Sequence, residues 1–191
     1  MPETSGKNRR ITAFLIGAVS AALFILTVTL GVVAVTRNAY GYYRAFGTAA
    51  VIVSDEMMNG DGDVKLTVGE LASFDILNSA EKAELLRGDV VLTETDVGWK
   101  ILRIVSKTYE GAATVYLAKS DLEPYSSYVT LSPDKIIGSF LHKSASNGAF
   151  FMFSSTFGGF IVCYVLPSLL AATGVFVVLF SAKKKEPKKT L

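Results

Sequence analysis

The sequence predicts a mainly β domain carried between two transmembrane α-helices. Three observations lead there. Two long, uncharged apolar runs stand near the ends of the 191-residue chain. Short runs rich in β-branched residues alternate with turn residues between them. Lysine and arginine gather on the outer flank of each apolar run.

The first run, Ile11 to Thr36, is almost wholly apolar. About 20 such residues cross a bilayer as a helix, the form that satisfies every backbone polar group there. Lys7, Arg9 and Arg10 precede it, as in a cleaved signal peptide. The run is longer than a typical signal core, and Thr36-Arg37-Asn38 is a poor cleavage site, so a signal anchor is expected. The second span is read as 160–181, with Pro167 expected to kink it. Before it, 149–159 is aromatic and contains Gly158-Gly159. It reads as the domain's last strand or as an interfacial approach to the membrane. Lys183, Lys184, Lys185, Lys188 and Lys189 follow the span. The positive-inside rule makes both tails, 1–10 and 182–191, cytoplasmic and the segment 37–148 extracytoplasmic. Tyr40, Tyr42 and Tyr43 fit an aromatic belt at the outer interface. The lysine tail has two readings, a contact to anionic membrane lipid and a plain topological stop, and the second is preferred.

In the middle segment the expected strands are Ala49 to Val53, Leu71 to Asp75, Asp89 to Thr93, Trp99 to Val105, Ala113 to Leu117 and Lys135 to Leu141. A short helix is expected over Ala80 to Leu86, with Asn78 or Ser79 as N-cap and Gly88 just past its end. This spacing suits non-local pairing in a compact, barrel-like core.

Composition narrows the function. Half the chain is hydrophobic, and the net charge of +2 is too small to point to nucleic acid. One cysteine, Cys163, permits no intramolecular disulfide and no multi-cysteine metal cluster. One histidine, His142, leaves little room for zinc and reads as an interfacial residue. No cofactor is expected.

The order of short motifs is more informative. VIVSDEMM (51–58), LTVGELASFD (66–75) and LLRGDVVLT (85–93) come first. WKILRIVS (99–106), VYLAKSDLE (115–123) and LSPDKIIGSFL (131–141) follow. This order resembles the signal peptidase I family, in the branch of the endoplasmic reticulum, archaea and some Gram-positive bacteria. Its most specific pieces are Arg87-Gly88-Asp89-Val90-Val91, Arg103-Ile104-Val105 and Asp134-Lys135-Ile136-Ile137-Gly138. The resemblance implies a signal-peptidase-like small β barrel or sheet and a prokaryotic plasma membrane location.

The catalytic pieces of that family are missing or displaced. Matching Met57 to the motif methionine puts Glu56 where the nucleophilic serine belongs and Ser54 at the first motif serine. Matching Arg103 to the motif arginine puts Leu102 where the general base belongs. Lys119-Ser120-Asp121 matches the family's Lys-Gly-Asp, so Asp121 stands at a family acid. The second family acid has no clear counterpart near Pro124-Tyr125. A serine hydroxyl near neutral pH needs an adjacent base, and leucine accepts no proton. A rescue is conceivable on paper. Ser54 and Glu56 share one strand face, and Lys100 and Leu102 share another, which suggests a Ser54–Lys100 dyad. The shift is about one pleat pair, roughly 6–7 Å, whereas catalysis fails with errors near 1 Å.

The favoured expectation is therefore an inactive signal-peptidase-like protein. It would bind signal peptides or an extended segment of an exported or surface protein, or other membrane proteins of an export or assembly complex. The alternative is an active peptidase using Ser54 with Lys100 or Lys119 as base. A third expectation is a structural membrane protein with an unrelated β domain. Absence of strand pairing between Val51–Val53 and Trp99–Val105 would favour that third reading. Asn59-Gly60-Asp61-Gly62-Asp63 looks like the start of a calcium loop, with Glu70 at position twelve. Val64 stands where the loop glycine is required, so a polar turn is the better reading.

Overall fold

The computed structural model describes residues 3–54, 63–96, 98–111, 113–121 and 127–183. The chain divides into two compact units, one built from residues 1–32 and 153–191 and the other spanning Val33–Met152.

In the first unit, helix α1 (Glu3–Tyr40) contributes its N-terminal part. The stretch Ile11–Arg37 is long and apolar enough to cross a membrane, as is Phe157–Phe180. The latter is not one regular helix. It comprises α4 (Phe157–Phe160), a π turn at Ile161–Val165 and α5 (Leu166–Lys183). The Leu166 N–H reaches back to the Ile161 carbonyl in this wider turn. Pro167 follows immediately and supplies no N–H, so the helix accommodates it by a local π adjustment. The two helices meet through small residues. Ala171 and Ser20 are buried, and a Cβ added at Gly174 would collide with the Ser20 hydroxyl. Without a hydrophobic drive inside a bilayer, such close approach is what holds helices together.

The second unit is an eight-stranded antiparallel sheet in the order β1-β2-β3-β8-β4-β5-β6-β7. The strands are β1 (Tyr43–Ala45), β2 (Thr48–Ile52), β3 (Leu71–Ile76), β4 (Val90–Thr95), β5 (Gly98–Glu110), β6 (Ala113–Lys119), β7 (Val129–Leu131) and β8 (Ile136–Ser144). All six expected strands are present. Two three-residue strands, β1 and β7, are additional, and both are too short for an alternating pattern to declare them. Among the described residues no ladder joins β1 to β7, so the sheet is open rather than a closed barrel. It is coiled instead by one-residue bulges at Val105, Ile137 and Leu141.

The sheet is buried on both faces, and the alternation of β4 makes this plain. Val90 and Leu92 enter a core with Val51, Val53, Phe74 and Ile101. Val91 enters a second core with Leu102, Ile104, Tyr116 and Ala118. Trp99 packs on the first core and donates its indole N–H to the Gly41 carbonyl at 2.8 Å. That bond draws the start of β5 toward the chain before β1, curling the sheet without strand pairing. Gly138, in the central strand β8, sits so close to β3 that a Cβ there would strike the Asp75 carbonyl.

Helix α2 (Ser79–Glu84) begins as expected. The Asn78 side chain accepts from the Ala80 and Glu81 N–H groups, and the Glu81 carboxylate accepts from the Asn78 N–H at 2.7 Å. It ends earlier than the sequence suggests, because Leu85 is already extended. Tyr116, fully buried, donates to the Lys82 carbonyl at 2.7 Å, and the Lys107 ammonium donates to that of Ala83. These contacts replace the glycine cap expected at Gly88. Burial, with Tyr109 and Asp89 nearby, pushes the Tyr116 phenol above its ordinary value of 10.0.

Two further corrections concern the flanks of the sheet. The aromatic stretch beginning at Ala149 is not a strand but part of helix α3 (Ala145–Ser154). Its backbone is satisfied within the helix, and Gly148 is buried against the 69–71 backbone. Tyr42 and Tyr43 are not free belt residues either. Tyr42 lies in the first core, and the Tyr43 ring packs on Phe151 with centroids 4.6 Å apart. Tyr40 alone of the three is exposed.

The hairpin joining β1 to β2 has a two-residue loop, Phe46-Gly47, with φ of 50° and 78°. Such turns favour asparagine or glycine at the first position, yet Phe46 occupies it while 94% exposed. Replacing it by asparagine relieves left-handed strain and removes an exposed aromatic. Phe46→Asn should raise stability by about 0.5–1 kcal/mol, measured as a higher thermal unfolding midpoint.

Candidate functional site

The residues singled out by the sequence fall in three places. Ser54 is exposed and follows β2, whose ladder extends one residue further. The Val53 N–H donates to the Glu70 carbonyl and the Gly69 N–H donates to that of Val53, each at 2.9 Å. Lys100 is exposed on β5, opposite Thr93. Glu56 and the calcium-like turn at Asn59–Gly62 lie outside the described residues.

Ser54 follows β2 and Lys100 lies in β5, strands that are not neighbours in the sheet. Strands β3, β8 and β4 lie between β2 and β5 in the sheet. Val53 and Ile101 enter one shared core. Their neighbours Ser54 and Lys100 therefore stand on the faces turned away from it. Among the described residues, no hydrogen bond or ion pair joins them. The pairing looked for between Val51–Val53 and Trp99–Val105 is likewise not made, since β2 pairs with β1 and β3 and β5 with β4 and β6.

Leu102 is 2% exposed and surrounded by the second core. A protonatable side chain there would have to displace Val91, Ile104, Tyr116 or Ala118. Lys119 lies beside the Tyr128 ring, its ammonium 6.0 Å from the centroid, and Cys163 falls in the π turn. His142 is exposed on β8, paired with Ser73.

Asp121 lies in an organised polar site, and its partner is Arg103. The Arg103 Nε donates to Oδ1 at 3.1 Å and to Oδ2 at 2.9 Å, while a terminal nitrogen donates to Oδ2 at 2.7 Å. The guanidinium also donates to the carbonyls of Gly88 (3.0 Å) and Val64 (3.2 Å). The two side chains are only 15% and 6% exposed. Around them, the Gly88 N–H bonds to the Ile104 carbonyl, and the Asp89 carboxylate accepts from the Leu86 N–H. This clamp ties β5, the segment after β6, the 86–89 turn and Val64 into one unit. Both Asp121 carboxylate oxygens are taken up by the guanidinium.

A second, smaller polar cluster surrounds Glu70. Its carboxylate accepts from the Thr67 N–H at 2.8 Å and from the Lys143 ammonium at 3.1 Å. Partial burial pushes this carboxyl up, but those two donors outweigh it and hold it below its ordinary 4.5. Among the described residues, no group of three His, Cys, Asp or Glu side chains is placed to hold a metal ion. Neither polar cluster presents a nucleophile with a base in reach.

Comparison with protein-family models and with curated proteins finds no match.

Both clusters have measurable consequences. Breaking a buried ion pair leaves one charge uncompensated. Asp121→Asn and Arg103→Gln should each cost about 3 kcal/mol, and the double variant less than their sum, by chemical denaturation. For Glu70 the folded value lies below the unfolded one, so its contribution is complete above about pH 4.5 and fades as pH falls through the lowered value. The gap in unfolding midpoint between wild type and Glu70→Gln should be constant near neutrality and close as pH drops below about 4.

Proposed function

We propose that the chain is a two-pass membrane protein whose extracytoplasmic sheet holds an extended segment of an exported or surface protein without cleaving it. Signal peptides are the first class to consider, and other membrane proteins of an export or assembly complex the second. The observation that carries this reading is that, among the described residues, no strand pairs with the outer side of β7. A sheet edge offers unpaired backbone groups on which an extended chain can add as a further strand. The other edge is partly covered, because the Arg44 N–H in β1 donates to the Thr36 hydroxyl at 2.9 Å. Tyr128, just before β7, and Val129, its first residue, are 58% and 36% exposed, apolar surface suited to an incoming segment.

Other observations support the non-catalytic part. Leu102 serves a core, Asp121 serves a clamp, and among the described residues no hydrogen bond joins Ser54 to a base. Arg103 and Gly88 build the clamp and Gly138 lets β8 approach β3, so these residues, which carry the resemblance to signal peptidase I, have roles in folding. The membrane part rests on two apolar helices of sufficient length, flanked by lysine and arginine on their outer sides.

One observation favours a second reading. The missing ladder between Val51–Val53 and Trp99–Val105 fits a structural membrane protein with an unrelated β domain. A photo-crosslinking amino acid at Val129 in the purified, membrane-reconstituted protein separates the two. The proposal expects crosslinks to signal-peptide-bearing precursors, weakened at least several-fold by Tyr128→Lys, and no cleavage. Crosslinks absent across a panel of precursors would favour the structural reading. Cleavage abolished by Ser54→Ala would overturn both.

A further inference from the structure

Phe46 carries two costs at once. Its backbone holds a φ of 50°, in the left-handed region, and its ring is 94% exposed. A single exposed apolar side chain is ordinary on a protein surface. An exposed phenylalanine held in a strained turn, where asparagine or glycine fits without strain, is not ordinary. Strain that folding does not need is found where a function uses it.

The path of the chain shows where the ring is carried. Helix α1 ends at Tyr40, and the Gly41 N–H closes its last turn on the Arg37 carbonyl at 2.8 Å. Gly41 then reverses the chain with a φ of 77°. Three residues later the Arg44 N–H donates to the Thr36 hydroxyl at 2.9 Å. At about 1.5 Å per residue, Tyr40 stands about 6 Å beyond Thr36 along the helix. Backbone that leaves the helix at Tyr40 and is level with Thr36 at Arg44 has therefore come back by one helical turn. Strand β1 runs back along the end of α1, and Phe46 lies two residues further on, roughly 7 Å of extended chain. Thr36 belongs to the membrane-length apolar stretch Ile11–Arg37. The hairpin tip is thus directed toward that stretch and not away from it.

This depth selects the occupant. Where a spanning stretch ends, an aromatic ring leaves water by entering the headgroup–acyl boundary. A stable protein partner needs about 800 Å² on each side, far more than a two-residue tip presents. A ring entering lipid needs no complementary surface.

We propose that the β1–β2 hairpin is a membrane-dipping tip, with Phe46 entering the leaflet that faces the sheet and anchoring the β1 edge to lipid. This inference rests on the membrane-spanning reading of α1, and the test separates the two. Carbonate extraction of membranes carrying the full chain comes first. Release from the membrane would overturn the spanning reading and the tip with it. Phe46→Cys in a Cys163→Ala background is then spin-labelled and reconstituted in vesicles of phosphatidylcholine and phosphatidylglycerol. Power saturation compares collisions with oxygen, which concentrates in lipid, and with a water-soluble nickel chelate present on both sides. Phospholipids labelled on the headgroup and near the top of the acyl chain calibrate the depth.

The label at position 46 should meet oxygen several-fold more than chelate and lie deeper than the headgroup standard. Phe46→Trp keeps an aromatic ring and gives a second reading. Brominated phospholipid should quench its added emission, with the contribution of Trp99 subtracted using the parent chain. Free access of the chelate to position 46, in a chain that resists carbonate, would overturn the tip alone. Quenching of Phe46→Trp no greater than that of the parent would do the same. Spin–spin broadening relieved by dilution with unlabelled chain would put a second copy on the tip and overturn lipid as its occupant.

Discussion

Arg103 and Asp121 bring full opposite charges into a place where little water reaches them. Removing such charges from solvent costs several kcal/mol for each ion, and their attraction offsets this only with good geometry and further hydrogen bonds. Both conditions are met here. The pair shares three donor–acceptor contacts, and two backbone carbonyls take the remaining reach of the guanidinium. The elements joined are distant in sequence, with 39 residues between Arg103 and Val64 and 18 between Arg103 and Asp121. Arg103 of the pair stands two residues before the bulge of β5 at Val105. Its neighbours Leu102 and Ile104 enter the second core.

The clamp also gives a physical sense to the motif order. A Gly-Asp turn, an arginine two or three residues from a strand bulge, and an acid after the next strand are the parts needed to lock such a corner. Gly138 meets a separate need, the near contact of β8 with β3. None of these duties requires a nucleophile or a base. Leu102 likewise serves packing, in the second core. Among the described residues, β7 ends the sheet with no strand paired on its outer side.

The two apolar helices are long and apolar enough to cross a membrane, and their burial pattern differs from that of the sheet. Within their unit, burial is confined to small residues such as Ser20 and Ala171, and large side chains such as Phe14, Phe24 and Phe176 are exposed. In water that pattern would aggregate, while in lipid it is the ordinary one. The π turn before Pro167 belongs to the same logic, since a lost N–H in hydrocarbon must be absorbed by the helix itself.

Much of this architecture was legible in the sequence. The apolar runs declared themselves by length, the six longer strands by β-branched runs between turn residues, and the start of α2 by Asn78 and Glu81 at capping-box spacing. All of these are local, set within one or two turns of chain. What remained hidden depends on contacts between distant residues. The end of α2 moved because Tyr116 and Lys107 arrive from β5 and β6 to take its carbonyls. The helical course from Ala145 was obscured because an aromatic-rich run suits a strand and a packed helix equally, and docking of Gly148 on the 69–71 backbone is a tertiary contact. The face to which each strand residue points was readable only as an alternation, without saying which core lies on which side. Ser54 and Lys100 each share a strand face with a motif position, which one strand at a time can reveal. That those faces turn away from the core between β2 and β5 is decided by strand order and sheet curl, which only the tertiary structure sets.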